Sequence, residues 1–391
     1  MDRERVERAK RIMNEDNIDI LLCRLPENVL YLTGYWPVIG ASLVAFPVDG
    51  DPTLILPYSE LDYAADGWVM DQRTYSFGSM QTTVDPMAET AKLLKELWEE
   101  KGYGRAAVGY EGSFELVGGN NVAAEARVVA PQTLNAFMTA LPRAKWTDAT
   151  NTLTKARIVK SKMEIDQLRI TNEVTCMGYE QARDMIRLGV RESEIAGAVE
   201  GAIYGKGVGY KNVKRARGYC FVMSGVNSVN SWRPFCMSSA KKLAEGEPVL
   251  VELDGMTNGY FVDLTRTFFV GKPDAKARKI FDVVQDSVNA VIDVIKPGIR
   301  AAELDSIARR IIIQAGYGEC FKHRLGHGIG LQFHEPPSLH PASEEVLEKG
   351  MVFAIEPAIY VEGFGGIRLE ENLVVTETGC ENLTPFPQRV D

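Results

Sequence analysis

Hydrophobic and polar positions along the first part of the chain follow two different periods. Residues 3–16 and 86–102 repeat their apolar side chains at helical spacing and therefore predict amphipathic helices. Short apolar runs predict strands, namely DILLC and the pair ASLVAFP and PTLILP, which are separated by an Asp-Gly turn signal. Helices that alternate with strands in this way favour an α/β layer around a mixed sheet.

The second part of the chain combines long helical patterns with strand patterns. Ser161 and Glu164 form a capping-box signal at the start of a helix, and more helices are predicted over 192–204, 274–296 and 301–315. Strand patterns lie between and after them, in EPVLVELDG, GYFVDLTRTFFVG, GMVFAIEPAIYVEG and GIRLEENLVVTETG. This arrangement is typical of an α+β domain with antiparallel strands.

The length of the chain favours two domains. At 391 residues it is longer than one typical hydrophobic core requires. The segment 143–157 is polar and has no regular period, so we place the junction there. We therefore predict one domain over 1–150 and a second domain over 157–391.

Composition and charge narrow the class of protein. The net charge of −9 argues against a nucleic-acid or anionic membrane surface as the main partner. No apolar run approaches the eighteen residues that would cross a membrane, and the first residues predict a charged helix rather than a signal peptide. Six scattered cysteines without a CxxC pair are typical of a reduced chain. We therefore expect a cytoplasmic protein.

Several carboxylates lie in strands that are otherwise apolar. Because side chains two apart share a face of a strand, Glu252 and Asp254 point the same way. Asp263, Glu356 and Glu370 lie in three further strand patterns. A charged group is costly to bury unless it is paired or bound to a cation. Any one of these carboxylates suits a half-exposed strand, but together they indicate an ion-binding site.

All four histidines lie in one segment of eighteen residues, HRLGHGIGLQFHEPPSLH, at His323, His327, His334 and His340. Carboxylates combined with one or two imidazoles suit Mn²⁺, Co²⁺, Fe²⁺ or Zn²⁺. Two such ions would share a bridging carboxylate and would lower the pKa of a bound water. A histidine outside the ligand set would then transfer protons or stabilise an oxyanion.

Four motifs carry a resemblance to a known family: GYFVDLTRTFFVG, GHGIGLQFHEPP, FAIEP and GIRLEENLVVTETG. With them the chain resembles, over nearly its whole length, the pita-bread family of methionine aminopeptidase, aminopeptidase P, prolidase and creatinase. The resemblance implies an α+β fold, in which a C-terminal pita-bread domain with a curved antiparallel sheet follows an α/β creatinase-type N-terminal domain. It also implies a homodimer.

The resemblance implies a ligand set for divalent metal. Asp263 matches an aspartate that binds both ions, and His327 matches the single histidine ligand. Glu356 and Glu370 match the two glutamate ligands, of which Glu370 bridges the ions.

Three more residues match positions with catalytic roles in the family. His334 matches the histidine that contacts substrate and helps to transfer protons. His323 falls where the members that cleave Xaa-Pro bonds have a further histidine in the active site. Arg368 matches an arginine beside the bridging glutamate, whereas His340 has no counterpart and is interpreted as a surface or structural residue.

The chain departs from the family near the expected substrate wall and first metal ligand. Glu252 stands eleven residues before Asp263, where the family has an aspartate, and Asp254 on the same face could replace it. Phe235 stands where the family has a histidine on the substrate side. Nearby Arg233 could recognise a substrate carboxylate, and a structural role at the surface is an equal alternative.

These features lead to three hypotheses of different kinds. The first is a metal-dependent hydrolase of a C–N bond, in particular an Xaa-Pro peptidase of the prolidase or aminopeptidase P type. It would use one or two divalent ions (Mn, Co or Zn) on a short-peptide substrate. The second is a creatinase- or ectoine-hydrolase-like enzyme that acts on a small non-peptide molecule. The third is a non-catalytic binding protein on the same fold.

Overall fold

The chain folds into two compact units, Met1–Arg157 and Ile158–Asp391. The structure is a computed structural model that describes residues 1–39, 41–112, 130–233 and 237–389. No helix among these described residues is long and apolar enough to cross a membrane.

A six-stranded mixed sheet forms the centre of the first unit. Its strands, in the order β4-β3-β2-β1-β5-β6 across the sheet, are β1 (Ile20–Cys23), β2 (Leu43–Pro47), β3 (Thr53–Pro57), β4 (Asp71–Tyr75), β5 (Ala107–Tyr110) and β6 (Lys145–Asp148). β2 is antiparallel to both neighbours, and the other neighbouring pairs are parallel.

The helices of the first unit include long ones with an apolar stripe that packs against this sheet, such as the fourth in chain order. They are α1 (Arg3–Glu15), α2 (Pro26–Thr33), α3 (Leu61–Ala64), α4 (Pro86–Lys101), α5 (Pro131–Ala140) and α6 (Thr150–Ile158). Leu94, Leu97 and Trp98 of α4 are buried in one core cluster with Ile20 and Val108 of the sheet. The helices predicted over 3–16 and 86–102 are thus α1 and α4, each within a residue of the predicted ends.

Among the described residues of the second unit, the strands are surrounded by the helices α7 (Lys162–Met185), α8 (Glu192–Gly207), α9 (Ala275–Ile292) and α10 (Ala301–Gln314). The predicted capping box is present at the start of α7, where the Ser161 hydroxyl accepts from the backbone N–H of Glu164. α7 and α8 pack on one sheet of this unit, and α9 and α10 cover the apolar side chains of the later strands.

The strands of the second unit form two antiparallel sheets and a hairpin. The first sheet contains β7 (Ala216–Ser224), β8 (Pro248–Thr257) and β9 (Tyr260–Phe269). The second, in the order β11-β10-β12-β15-β16, contains β10 (Gly326–Gly328), β11 (Glu335–Leu339), β12 (Val352–Ile355), β15 (Glu371–Val375) and β16 (Cys380–Asn382). The hairpin pairs β13 (Ala358–Val361) with β14 (Gly365–Arg368).

Two strand patterns that look continuous in the sequence are each divided in the structure. The pattern around Glu356 separates into β12 and β13, and the pattern around Glu370 separates into β14 and β15. Pro357 has no backbone N–H to donate to a sheet ladder, which explains the first break. Both glutamates therefore lie at points where the chain passes from one group of strands to another.

Candidate metal centre

Strands β8 and β9 bring the first three carboxylates together. Asp254 lies directly across from Asp263 in the antiparallel register, and Glu252 lies across from Thr265. The alternate residues of β8, among them Val251 and Leu253, are fully buried in a core cluster under α7 and α8. Because that face is occupied by core packing, the carboxylates share the opposite face.

Hydrogen bonds from their backbone N–H groups hold the two glutamates at the strand breaks in place. Glu356 donates its N–H to the carbonyl of Leu325 at 2.8 Å, and Glu370 donates to the carbonyl of Thr265 at 3.1 Å. Glu370 is completely buried. These contacts fix each glutamate against the segment of chain that carries another member of the site.

His327 lies on β10, between β11 and β12. Added Cβ atoms at Gly326 and Gly328 would lie 1.9 Å from the carbonyl oxygen of Ala354 and 2.1 Å from that of Pro336, so only glycine permits this close approach. Nδ1 of His327 is 3.2 Å from the carbonyl oxygen of Gly328. A proton on Nδ1 satisfies this contact and leaves Nε2 with a free lone pair.

Seven of the residues predicted for the site converge on one cluster. Single ligand atoms lie within 4.8 Å of one another in each of three groups: Asp263, His327 and His334; His327, Glu356 and Glu370; and Glu252, Asp254 and Asp263. His327 Nε2 is 3.5 Å from Asp263 Oδ2 and 3.8 Å from Glu356 Oε1. The ring centroids of His327 and His334 are 4.0 Å apart.

Buried atoms of this cluster lack hydrogen-bond partners. Within the part of the chain that the structure describes, they are Glu252 Oε2, Asp254 Oδ1, Asp263 Oδ1, His327 Nε2 and Glu370 Oε1. Unpaired polar atoms are costly in a protein interior, and here they are all electron-pair donors that face one another. Carboxylate oxygens with one imidazole nitrogen form the kind of donor set that divalent first-row metals prefer. The residues present therefore fit a divalent cation.

Burial and mutual repulsion make these carboxylates hard to ionise without a cation. Burial, and then the charge of Asp263, raise the pKa of both Asp254 and Glu370 well above the usual range. Burial also raises the pKa of Glu252 to about 7, although the guanidinium of Arg368 opposes this shift. A bound cation would reverse the balance by favouring the ionised forms.

Arg368 connects two members of the cluster. Its Nη2 is 2.7 Å from Glu252 Oε2, and its Nη1 is 3.7 Å from Glu356 Oε2. Its Nε donates to the Thr265 hydroxyl at 2.8 Å, and that hydroxyl donates to Glu370 Oε2 at 2.8 Å. Thr265 therefore fixes the orientation of Glu370, in the way that hydrogen-bond partners commonly orient metal ligands.

His323 is held in one tautomer beside the cluster. Its Nδ1 lies 2.8 Å from the carbonyl oxygen of Arg324, and its Nε2 lies 2.9 Å from the hydroxyl of Tyr360. Since a carbonyl can only accept, Nδ1 carries the proton and Tyr360 donates to Nε2. Burial, and then the charge of Arg368, lower the pKa of His323 to about 3. The imidazole is therefore neutral in ordinary buffers.

A buried ion pair on α10 supports the histidine segment. Arg309 donates to both carboxylate oxygens of Asp305 at 2.9 Å, and to the carbonyls of Phe321 at 3.0 Å and His323 at 2.9 Å. The backbone N–H of Leu325 donates to Asp305 at 3.0 Å. This pair thus fixes the chain on both sides of Arg324, immediately before β10.

A second arginine lies beneath the cluster. Arg266 is fully buried and donates to the carbonyl of Glu370 and, at 3.0 Å, to the carboxylate of Glu371. It also donates to the carbonyl of Phe386 at 2.8 Å and to that of Pro387 at 3.0 Å. The peptide of Glu370 and the end of the chain therefore share one guanidinium.

The remaining predicted residues are not members of the three candidate ligand groups found among the described residues. Arg233 is exposed, and its guanidinium lies 5.3 Å from the centre of the Trp232 ring. Phe235 falls outside the described residues. His340 is exposed and accepts from the backbone N–H of Ala342 at 3.1 Å.

The sequence analysis missed three supporting side chains. Tyr360 and Arg309 lie in segments whose pattern suits ordinary packing and surface positions, so nothing local marks them. Thr265 offered a signal, since it shares a strand face with Asp263, two residues away.

Comparisons with known proteins cover nearly the whole chain. Residues 166–377 match the family described as Metallopeptidase family M24, and residues 5–159 match the Creatinase/Prolidase N-terminal domain. The chain is 31% identical over 383 residues to the Xaa-Pro dipeptidase of Pyrococcus furiosus, with 98% of each chain covered.

Solved structures resemble the fold closely. The prolidase from Pyrococcus horikoshii OT3 superposes with a TM-score of 0.80 at 27% identity, covering 99% of this chain and 100% of that chain. The X-Pro aminopeptidase from Thermotoga maritima MSB8 gives a TM-score of 0.81 at 25% identity, covering 97% and 99%. The expected α+β class, with an α/β creatinase-type domain before a pita-bread domain, is confirmed.

Proposed function

Since this chain belongs to metallopeptidase family M24, we propose that it is a metal-dependent hydrolase that cleaves Xaa-Pro peptides, with dipeptides as the preferred substrates. The observation that carries this proposal is the cluster of buried carboxylates around His327, several of whose electron-pair donor atoms have no hydrogen-bond partner among the residues that the structure describes. Relatives named Xaa-Pro dipeptidase match nearly the full length of the chain, which favours the peptide substrate over creatine or ectoine.

The charge of the cluster supports two ions rather than one. Five carboxylates lie in the cluster (Glu252, Asp254, Asp263, Glu356 and Glu370), and the guanidinium of Arg368 pairs with it. When all are ionised, four negative charges remain, which equals the charge of two divalent cations. We propose Mn²⁺, Co²⁺ or Zn²⁺, and we assign Asp263, His327, Glu356 and Glu370 to hold them.

The chain's own residues would orient the substrate and move protons. When bound, divalent ions supply a water of lowered pKa and polarise the carbonyl of the scissile bond. His334, whose ring lies tilted beside that of His327, would donate a hydrogen bond to the substrate and a proton to the leaving nitrogen. His323, neutral and held by Tyr360, would shape the pocket rather than exchange protons.

Turnover of matched dipeptides tests the proposal directly. Protein stripped with a chelator and reloaded with Mn²⁺, Co²⁺ or Zn²⁺ should hydrolyse Leu-Pro at least tenfold faster than Leu-Ala. Leu-Pro-Gly should react more slowly than Leu-Pro if dipeptides are preferred. Creatine and ectoine, the substrates of the rival hypothesis, should be left intact. Loaded protein that leaves Leu-Pro intact would refute the assignment.

A pair of glutamate variants separates catalysis from simple binding. Glu356→Gln should lose both bound metal and turnover, because it removes a ligand charge from the cluster. Glu362→Gln changes an exposed glutamate six residues further along and should change neither. A non-catalytic binding protein would show no turnover to lose.

We also propose that the protein is cytoplasmic and forms a homodimer. The scattered cysteines and the absence of an apolar segment of spanning length in the sequence support the first statement. Light scattering of the purified chain tests the second, and a monomer mass at micromolar concentration would contradict it.

A further inference from the structure

We propose that Asp254, and not Glu252, is the carboxylate of strand β8 that binds the ion shared with Asp263. Glu252 instead stays paired with Arg368. This inference rests on the proposed metal-dependent function. It concerns a position where the chain departs from the pattern of its family, and it assigns different roles to two acidic residues that are two positions apart.

Asp254 has the environment of a ligand. It is 2% exposed and lies directly across from Asp263. Its Oδ1, like Oε2 of Glu252, has no hydrogen-bond partner among the described residues, but no arginine or lysine of the described residues forms an ion pair with Asp254. One oxygen of each of Glu252, Asp254 and Asp263 lies within 4.8 Å of the others. A buried carboxylate whose neighbours are carboxylates is stabilised only by a cation or by a proton.

Glu252 already has a cation. Its Oε2 lies 2.7 Å from Nη2 of Arg368, and its side chain is 13% exposed. The guanidinium is fixed from its other edges, because it donates to the Thr265 hydroxyl at 2.8 Å and to the carbonyl of Ser231 at 3.1 Å. Arg368 therefore remains beside Glu252 whether or not an ion is bound.

Side-chain length explains the exchange of roles. Glutamate carries one methylene more than aspartate, and in Glu252 this extra reach brings the carboxylate to the guanidinium. The shorter Asp254 holds its carboxylate at the strand, opposite Asp263. The same face of β8 therefore carries the carboxylate of Glu252, which Arg368 neutralises, and the carboxylate of Asp254, which Arg368 does not neutralise.

Matched amide variants test the assignment through metal content. Asp254→Asn and Glu252→Gln each remove one negative charge while nearly preserving shape. Ions per chain are counted by elemental analysis after dialysis, and affinity for Mn²⁺ and Co²⁺ is measured by calorimetry. We expect Asp254→Asn to bind one ion fewer, or to bind the weaker ion at least tenfold less tightly. Glu252→Gln should keep the wild-type number with less than a tenfold change.

Unfolding temperature gives a second readout that also reports misfolding. Without metal, Asp254→Asn should be at least as stable as the wild type, because it removes repulsion with Asp263. Addition of metal should raise the unfolding temperature of Asp254→Asn less than that of the wild type, because a ligand that binds less tightly stabilises the folded state less. If the metal-free variant is strongly destabilised, or gains as much from metal as the wild type, the assignment is wrong.

The outcomes separate this inference from the proposed function. Loss or at least tenfold weakening of an ion in Glu252→Gln alone, in both variants or in neither would overturn the role of Asp254. Wild-type protein that binds ions without cleaving Leu-Pro would overturn the substrate, yet the comparison of metal content would still decide between Asp254 and Glu252.

Discussion

Replacing Arg309 by methionine should destabilise the second unit, although this arginine touches no ligand atom of the site. Methionine keeps the length of the side chain and removes the charge. Asp305, whose side chain is 1% exposed, then keeps, of its partners among the described residues, the N–H of Leu325 alone. The carbonyls of Phe321 and His323 also lose a donor.

The size of the effect follows from burial. Removing one partner of a buried ion pair costs about 3–5 kcal/mol, because the other charge is left without compensation. The side chain of Arg309 is 26% exposed, which admits some water to the pair, so we expect the lower end, about 3 kcal/mol. For a unit of this size that corresponds to a fall of roughly 6–12 °C in the unfolding temperature.

Urea and thermal unfolding of metal-free protein measure the change without interference from ion binding. Lys162→Met is the matched control, because it breaks the pair with Asp166, which has the same spacing of four residues but lies at the surface. Exposed pairs contribute at most about 1 kcal/mol. If Arg309→Met costs no more than Lys162→Met, the argument from burial is refuted.

Three further substitutions test other contacts of the structure. Tyr360→Phe leaves Nε2 of the partly buried His323 without its donor and should cost about 1 kcal/mol in urea unfolding; an unchanged midpoint would contradict the assigned tautomer. Thr265→Val removes the hydrogen bond to Glu370 and should weaken Mn²⁺ binding roughly tenfold by calorimetry, and unchanged affinity would count against it. Burial raises the pKa of Glu111 from 4.5 to about 7. The folded state therefore binds this proton more tightly than the unfolded state, which stabilises the fold fully below about pH 4.5. That stabilisation is lost as the pH rises to about 7. The difference in unfolding free energy between wild type and Glu111→Gln should decline over that interval, and a constant difference would contradict the direction of the shift.

Local periodicity predicted much of the fold. Helical spacing located α1, α4 and α7 because each of them buries one apolar stripe. Alternation in EPVLVELDG placed Glu252 and Asp254 on one face, opposite the core positions of the same strand, as the structure has them. Patterns of this kind are visible because burial repeats with the period of the element.

Contacts between distant segments could not be predicted in this way. The pattern around Glu356 is uniformly apolar, and it does not indicate that the chain changes sheets there. The pair of Glu252 with Arg368 joins residues far apart in sequence, and it depends on the length of one side chain. Alternation reports which face is buried, but it does not report which neighbour a polar group meets across that face.

The position of Arg266 has a practical consequence for anyone who prepares this protein. Its guanidinium connects the peptide of Glu370 to the carbonyls of Phe386 and Pro387. Proteolytic trimming or a truncated clone that removes these residues would leave a buried cation short of acceptors, directly under the centre. Cleavage sites are therefore better kept away from this segment. Mass spectrometry that confirms the presence of Phe386 and Pro387 should accompany every measurement of metal content.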